Sequence, residues 1–103
     1  MEVNSTHGLL DMLALESANY DRCVAEAKKA DTASGRINWT SGIVESAFNA
    51  VEICGKMRDA DQVHANVVEG IGCRWRDIAA EAVVRRHQLI EARRAELAEL
   101  SRG

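Results

Sequence analysis

Apolar positions recur along this chain at the spacing of a helix face, not with the alternation of a strand. Near the start, Leu9, Leu10, Leu13, Ser17, Tyr20, Val24 and Ala27 fall on one side when successive residues are set 100° apart. In the middle, Ile43, Val44, Ala47, Phe48, Val51 and Cys54 form a second stripe, with Met57 at its edge. The last stripe is the longest, running from Val67 and Val68 through Ile71, Trp75, Ile78, Ala79, Ala82 and Leu89 to Leu97 and Leu100 without losing phase. The pattern predicts helices over about residues 5–31, 42–58 and 60–100. The expected fold is all-α, a single three-helix bundle or helical hairpin with a long, projecting C-terminal helix.

The punctuation between stripes sets the expected boundaries. Ser5 or Thr6 can cap the first helix. Met12 and Leu15 fall off its main face and suggest a second contact near its start. The polar run from Asp31 to Ser41 reads as a connection, with Ser34 and Gly35 as turn residues and Asn38, Thr40 or Ser41 as the next cap. Trp39 is then expected to plug the end of the core. Asp59, followed three residues later by Gln62, resembles a capping box and predicts a tight turn near residues 58–61. Gly70 and Gly72 flank Ile71 and mark either a kink or a place where another helix comes close.

These boundaries imply a mismatch of lengths. At about 1.5 Å per residue the expected helices measure roughly 39, 26 and 60 Å. A short second helix leaves the third uncovered from about Ala79 onward, yet that half still carries Val83, Val84, Leu89 and Ile90. Val83 and Val84 lie off the main stripe, so two faces near residue 80 are apolar. Such surface calls for a partner, most simply a second copy related by two-fold symmetry, or else a helix of a larger protein. The candidate partner-binding residues are Ala80, Val83, Val84 and Ile90 for apolar contact, with Arg86, Arg93 and Arg94 for orientation.

Composition narrows the picture. The chain of 103 residues is 47% hydrophobic, which excludes full disorder, and it has no proline to interrupt a helix. Its formal charge of −3 argues against coating nucleic acid by bulk electrostatics. Arg85, Arg86, Arg93 and Arg94 keep open the alternative of a dimeric nucleic-acid-associated regulator. They also have local carboxylates in reach: Glu81 or Glu91 for Arg86, and Glu96 or Glu99 for Arg93.

Little in the sequence points to chemistry. Cys23, Cys54 and Cys73 make an odd number without close pairs, which reads as reduced thiols in a cytoplasmic protein. Cys23 and Cys54 lie beside apolar stripes, whereas Cys73 points off its stripe as the more accessible thiol. The opening residues carry neither a basic leader nor a long apolar run, so neither a signal peptide nor a membrane segment is expected. His7, His64 and His87 are scattered, and neither the cysteine pairs of a zinc site nor the Glu-x-x-His spacing of a di-metal bundle occurs; no metal or cofactor is expected. His64 projects toward Val68, Ile71 and Trp75 as a partly buried, hydrogen-bonded histidine at a helix start. Glu16 and Ser17 are placed to meet a polar group across the bundle. Glu69 to Gly72 has too few glycines for a phosphate loop and lies within a helix.

No family is identified. Trp39 to Gly42 is one residue too long for the Trp-x-Gly turn of small secreted helical hairpins. The all-helical mutases of the chorismate type place their long helix first, where this chain places it last. The expected function is a non-enzymatic interaction module: a small helical dimer serving as adaptor, chaperone or inhibitor of a larger protein. A regulator linked to nucleic acid, or a small enzyme with its site inside the bundle, is the alternative.

Overall fold

The computed structural model describes residues 6–102 and is all-helical, with no strand among them. Helix α1 spans Thr6–Lys29, α2 spans Ala33–Ala60, a single 3-10 turn covers Gln62–His64, and α3 spans Ala65–Arg102. Of the two caps expected for α1, Ser5 lies outside the described residues and Thr6 is the first helical residue. The molecule measures 62 × 21 × 19 Å, close to the roughly 57 Å length of a helix of 38 residues.

Helix α2 is the spine. Both α1 and α3 lie antiparallel to it, and their backbones approach it rather than each other. Asn19 against Ser46, Glu16 against Asn49 and the contact of Cys23 with Gly42 set the register with α1. Arg58 against Glu69 and Cys54 against Gly72 set it with α3. The innermost cluster is Leu9, Ile53, Cys54, Met57 and Val68, with Met12, Leu13 and Trp75 packed against it. Farther along, small residues take over: Ala47, Ala50 and Ala79 are 0%, 0% and 1% exposed, which lets helix backbones approach.

The spine begins at Ala33, well before the expected residue 42. The polar run that reads as a connection is mostly helix. Thr32 is the cap: its backbone is extended and its hydroxyl accepts the Gly35 N–H at 3.0 Å. Arg36 donates to the Ala30 carbonyl at 3.2 Å and so ties off the end of α1. Ser34, expected in a turn, and Asn38, expected as a cap, sit exposed on the outer side of the helix, while Thr40, another expected cap, packs inside at 1% exposure. Packing of the inward positions overrides the weak propensity of the outward ones. Trp39 therefore lies within a helix, half-buried, rather than at a helix mouth.

A longer spine shortens the overhang. The register carries the start of α2 to about residue 93 of α3, so Ala79 and Ala82 are buried at 1% and 7% instead of projecting. Only the last two to three turns of α3 outrun the bundle. The helix is unbroken at Gly70 and Gly72. Of the two readings for these glycines, close approach holds at Gly72, where an added Cβ meets that of Cys54 at 3.3 Å.

The turn between α2 and α3 is capped by Asp61, not Asp59. One Asp61 oxygen accepts the backbone N–H groups of Val63 and His64 at 3.1 and 3.3 Å, and the other accepts from the His64 ring at 2.8 Å. Gln62 instead reaches back to the carbonyls of Arg58 and Asp59. His64 is thereby held on the turn and exposed, away from the stripe expected to take it. Across the joint, Arg58 grips Glu69 at 2.8 Å and Arg76 lies 3.6 Å from the second Glu69 oxygen.

Two predictions follow from this packing. Gly70 has open space around it, so Gly70→Ala is expected to raise stability by about 0.5–1 kcal/mol. A Cβ at Gly42 falls 2.8 Å from the buried Cys23 sulfur, so Gly42→Val is expected to cost about 1–3 kcal/mol. Urea denaturation of the two variants, with opposite signs, checks the contrast.

The joint also confers acid sensitivity. The hydrogen bond and charge of Arg58, with a smaller contribution from Arg76, hold Glu69 below the ordinary carboxylate range. The His64 ring hydrogen bond holds Asp61 below it too, aided by backbone N–H groups. A depressed carboxyl binds fewer protons in the folded chain than in the unfolded one. Its contribution is therefore complete above about pH 4 and is lost as pH falls through the lowered native value. Urea midpoints are expected to fall below about pH 4, with a shallower decline in the double variant Glu69→Gln, Asp61→Asn.

Candidate binding surfaces

The structure leaves apolar side chains open on the outer sides of α2 and α3. Phe48, Val83 and Val84 are 52%, 37% and 56% exposed. Successive helical residues turn by about 100°, so Phe48 lies nearly opposite Ser46, the residue that meets α1. Val83 and Val84 likewise turn away from Ala82, which faces α2 and α1. Ala80 and Val84 share a shallow depression on α3 with Gln88 and Arg85. At the free end of α3, Leu97 and Leu100 are exposed at 47% and 72%.

The remaining sequence candidates divide. Arg86 and Ile90 are half-buried, level with the first turns of α2, and Ile90 lies two turns beyond Val83 on the same face of α3. Arg93 pairs with Glu96 at 3.3 Å, as the spacing suggested. Arg94 takes Glu91 at 3.1 Å, and Arg102 takes Glu99 at 3.0 Å. From residue 91 to 102 the helix carries Glu91, Glu96 and Glu99 against Arg93, Arg94 and Arg102, a balance of charge. Each exposed pair is worth little, at most about 1 kcal/mol, so any of them can exchange partners at an interface.

Phe48 was read as core. A hydrophobicity stripe centred on Ala47 takes in both flanks, and only the location of α1 decides between them. That location was legible in polar residues: Ser46 is 0% exposed and accepts from Asn19, while Asn49 donates to Glu16 at 3.4 Å. Glu16 meets its polar partner as expected; Leu15, by contrast, is 71% exposed and makes no second contact with the core.

On the other side, α1 and α3 stand apart and leave a groove of about 310 Å³ floored by α2. Tyr20 marks one end, where its ring meets Trp75 edge-on at 5.3 Å and 88°. Val24 and Ala27 form one wall, Ile78 and Ala82 the other, and Ile43 lies on the floor with Thr40. Lys28, Glu81 and Arg85 stand at the rim. The Thr40 hydroxyl is buried without a hydrogen-bond partner. No single stretch of sequence signals this groove, because its lining comes from three separate helices.

Cys23 and Cys54 are buried and Cys73 is exposed, as their positions on the stripes suggested. Burial pushes the Cys54 thiol up, against an opposing pull from Arg76. Among the described residues no three His, Cys, Asp or Glu side chains are grouped so as to hold a metal ion, and no helix is long and apolar enough to cross a membrane.

A buried hydroxyl without a partner is costly, so Thr40→Val is expected to raise the unfolding free energy by about 1 kcal/mol, measured as a higher urea midpoint. No protein-family model, curated protein or solved structure matches the chain.

Proposed function

We propose that this chain is a non-enzymatic protein–protein interaction module that acts as a homodimer and, in that form, as an adaptor, chaperone or inhibitor of a larger protein. The observation that carries the reading is the exposure of Phe48 and Val83 beside the α2/α3 seam, of Val84 on the outer face of α3, and of Leu97 and Leu100 beyond the end of α2. Large apolar groups left open on a small domain favour burial against another surface.

A second copy is the occupant that the charges fit best. The free end of α3 alternates acid and base with no net charge, so two such ends laid antiparallel exchange ion pairs without repulsion. A strongly acidic partner or a nucleic acid gains less, because Arg93, Arg94 and Arg102 already have carboxylates. In this reading Ala80, Val83 and Val84 supply the apolar contact, Ile90 extends it, and Arg86, Arg93 and Arg94 fix orientation.

Light scattering is expected to give the mass of two chains. Val84→Asp, at an exposed position, is expected to halve that mass with helicity unchanged, and Leu97→Asp to weaken the dimer by about tenfold or more. A single-chain mass for the unsubstituted protein at micromolar concentration overturns the reading.

A further inference from the structure

We propose that the groove between α1 and α3 is a binding site for a small apolar carboxylate, an acyl or aryl acid of about eight to ten heavy atoms.

The groove has a polar end and an apolar end. The helix register places Thr40 within a turn of Arg85 on α3 and of Lys28 on α1. Tyr20 and Ile78 lie toward the opposite end. Lys28 and Arg85 have no carboxylate at ion-pair distance among the described residues, although most arginines of α3 do. Glu81 is the one acid on the rim, so two cations face one carboxylate and the rim favours an anion. Nearby, the Thr40 hydroxyl is buried with no partner in the chain.

Size and shape select a small molecule over a peptide helix. The volume of about 310 Å³ is at the lower end of ligand pockets. The Tyr20–Trp75 contact bridges α1 and α3, so a continuous helix, roughly 10 Å across, has no straight path along the groove. The ligand therefore places its carboxylate between Lys28 and Arg85 and its apolar body against Val24, Ile43 and Ile78. Arginine suits the role because its planar fork meets a carboxylate with two hydrogen bonds.

Isothermal titration of the full chain with sodium octanoate, and with 1-octanol as the neutral control, tests the site. Octanoate is expected to bind saturably at one site per chain and at least about tenfold more tightly than octanol. The double variant Lys28→Glu, Arg85→Glu, at two exposed positions, is expected to remove that preference, while Ala27→Trp, which fills the groove, abolishes binding of both. Circular dichroism of each variant confirms that it is folded. Binding that is unsaturable, indifferent to the charge reversal, or equal for octanol overturns the proposal. So does an Ala27→Trp variant that loses mass by light scattering, which makes the groove a subunit interface. Because Leu97 lies beyond the groove and lines neither it nor the depression beside Arg85, Leu97→Asp separates the two readings: it is expected to weaken the dimer and to leave octanoate binding intact.

Discussion

The close approach of two helices to a single spine is the constraint from which the rest of the architecture follows. Gly42 leaves room for the Cys23 sulfur on one side of α2, and Gly72 leaves room for Cys54 on the other. With Ala47, Ala50 and Ala79 wholly buried nearby, α1 and α3 are both drawn onto α2. On α3 the small residues Gly72, Ala79 and Ala82 take that contact, and on α1 Cys23 does so opposite Gly42. The consequence is that α1 and α3 meet through Tyr20 and Trp75 while their backbones stay apart. A groove on one side and an apolar flank on the other are two results of one packing choice.

The polar contacts inside the bundle give this arrangement its register. Small apolar residues slide past one another at little cost, so a seam of alanines does not by itself fix how two helices align. Asn19 with Ser46, and Asn49 with Glu16, are specific pairs one helical turn apart, and a slip of either helix leaves buried polar groups unpaired. On α3 the same task falls to Arg58, Glu69 and Arg76, which join α2 and α3 just beyond the turn. Among the described residues the second Glu16 oxygen and the Thr40 hydroxyl are buried without partners, and Thr40 takes no part in fixing the register. It lies under the groove, at the level where the two flanking helices stand apart.

Much of the fold was legible in the sequence because helical periodicity is a local property. The all-α class, the three helices and the separation of buried Cys23 and Cys54 from exposed Cys73 all follow from counting residues round a helix. What misled was the assumption that polarity marks a connection. Residues 33 to 41 are polar on their outer side only, and Thr32, which begins the helix, is a weaker signal than the Ser34–Gly35 pair beside it. The error propagated: a spine read as too short made Ala79 and Ala82 appear exposed when α2 covers them. The valines at 83 and 84 were still recognised as surplus, because they lie off the stripe whatever the length of the neighbour. The groove was beyond reach, since no single helix contains more than a part of it.

The two surfaces share one helix, and this gives α3 its composition. Ala82 and Ile78 face the groove, Val83 turns to the other side, Val84 turns outward, and Arg85 stands at the groove rim beside the depression formed by Ala80 and Val84. A helix with apolar residues on so much of its circumference is stable in water only where most of that surface is covered. Between residues 78 and 84 the bundle covers the sector facing α2 and leaves both sides partly open. Beyond residue 90 the pattern changes: carboxylate–arginine pairs take over the outer faces, and only Leu97 and Leu100 keep the apolar line. Ion pairs of this kind add solubility at little gain in stability, whereas exposed leucines forfeit burial energy unless something covers them. Their joint presence on the uncovered end of α3 is the reason the proposed contact includes the overhang as well as the valines.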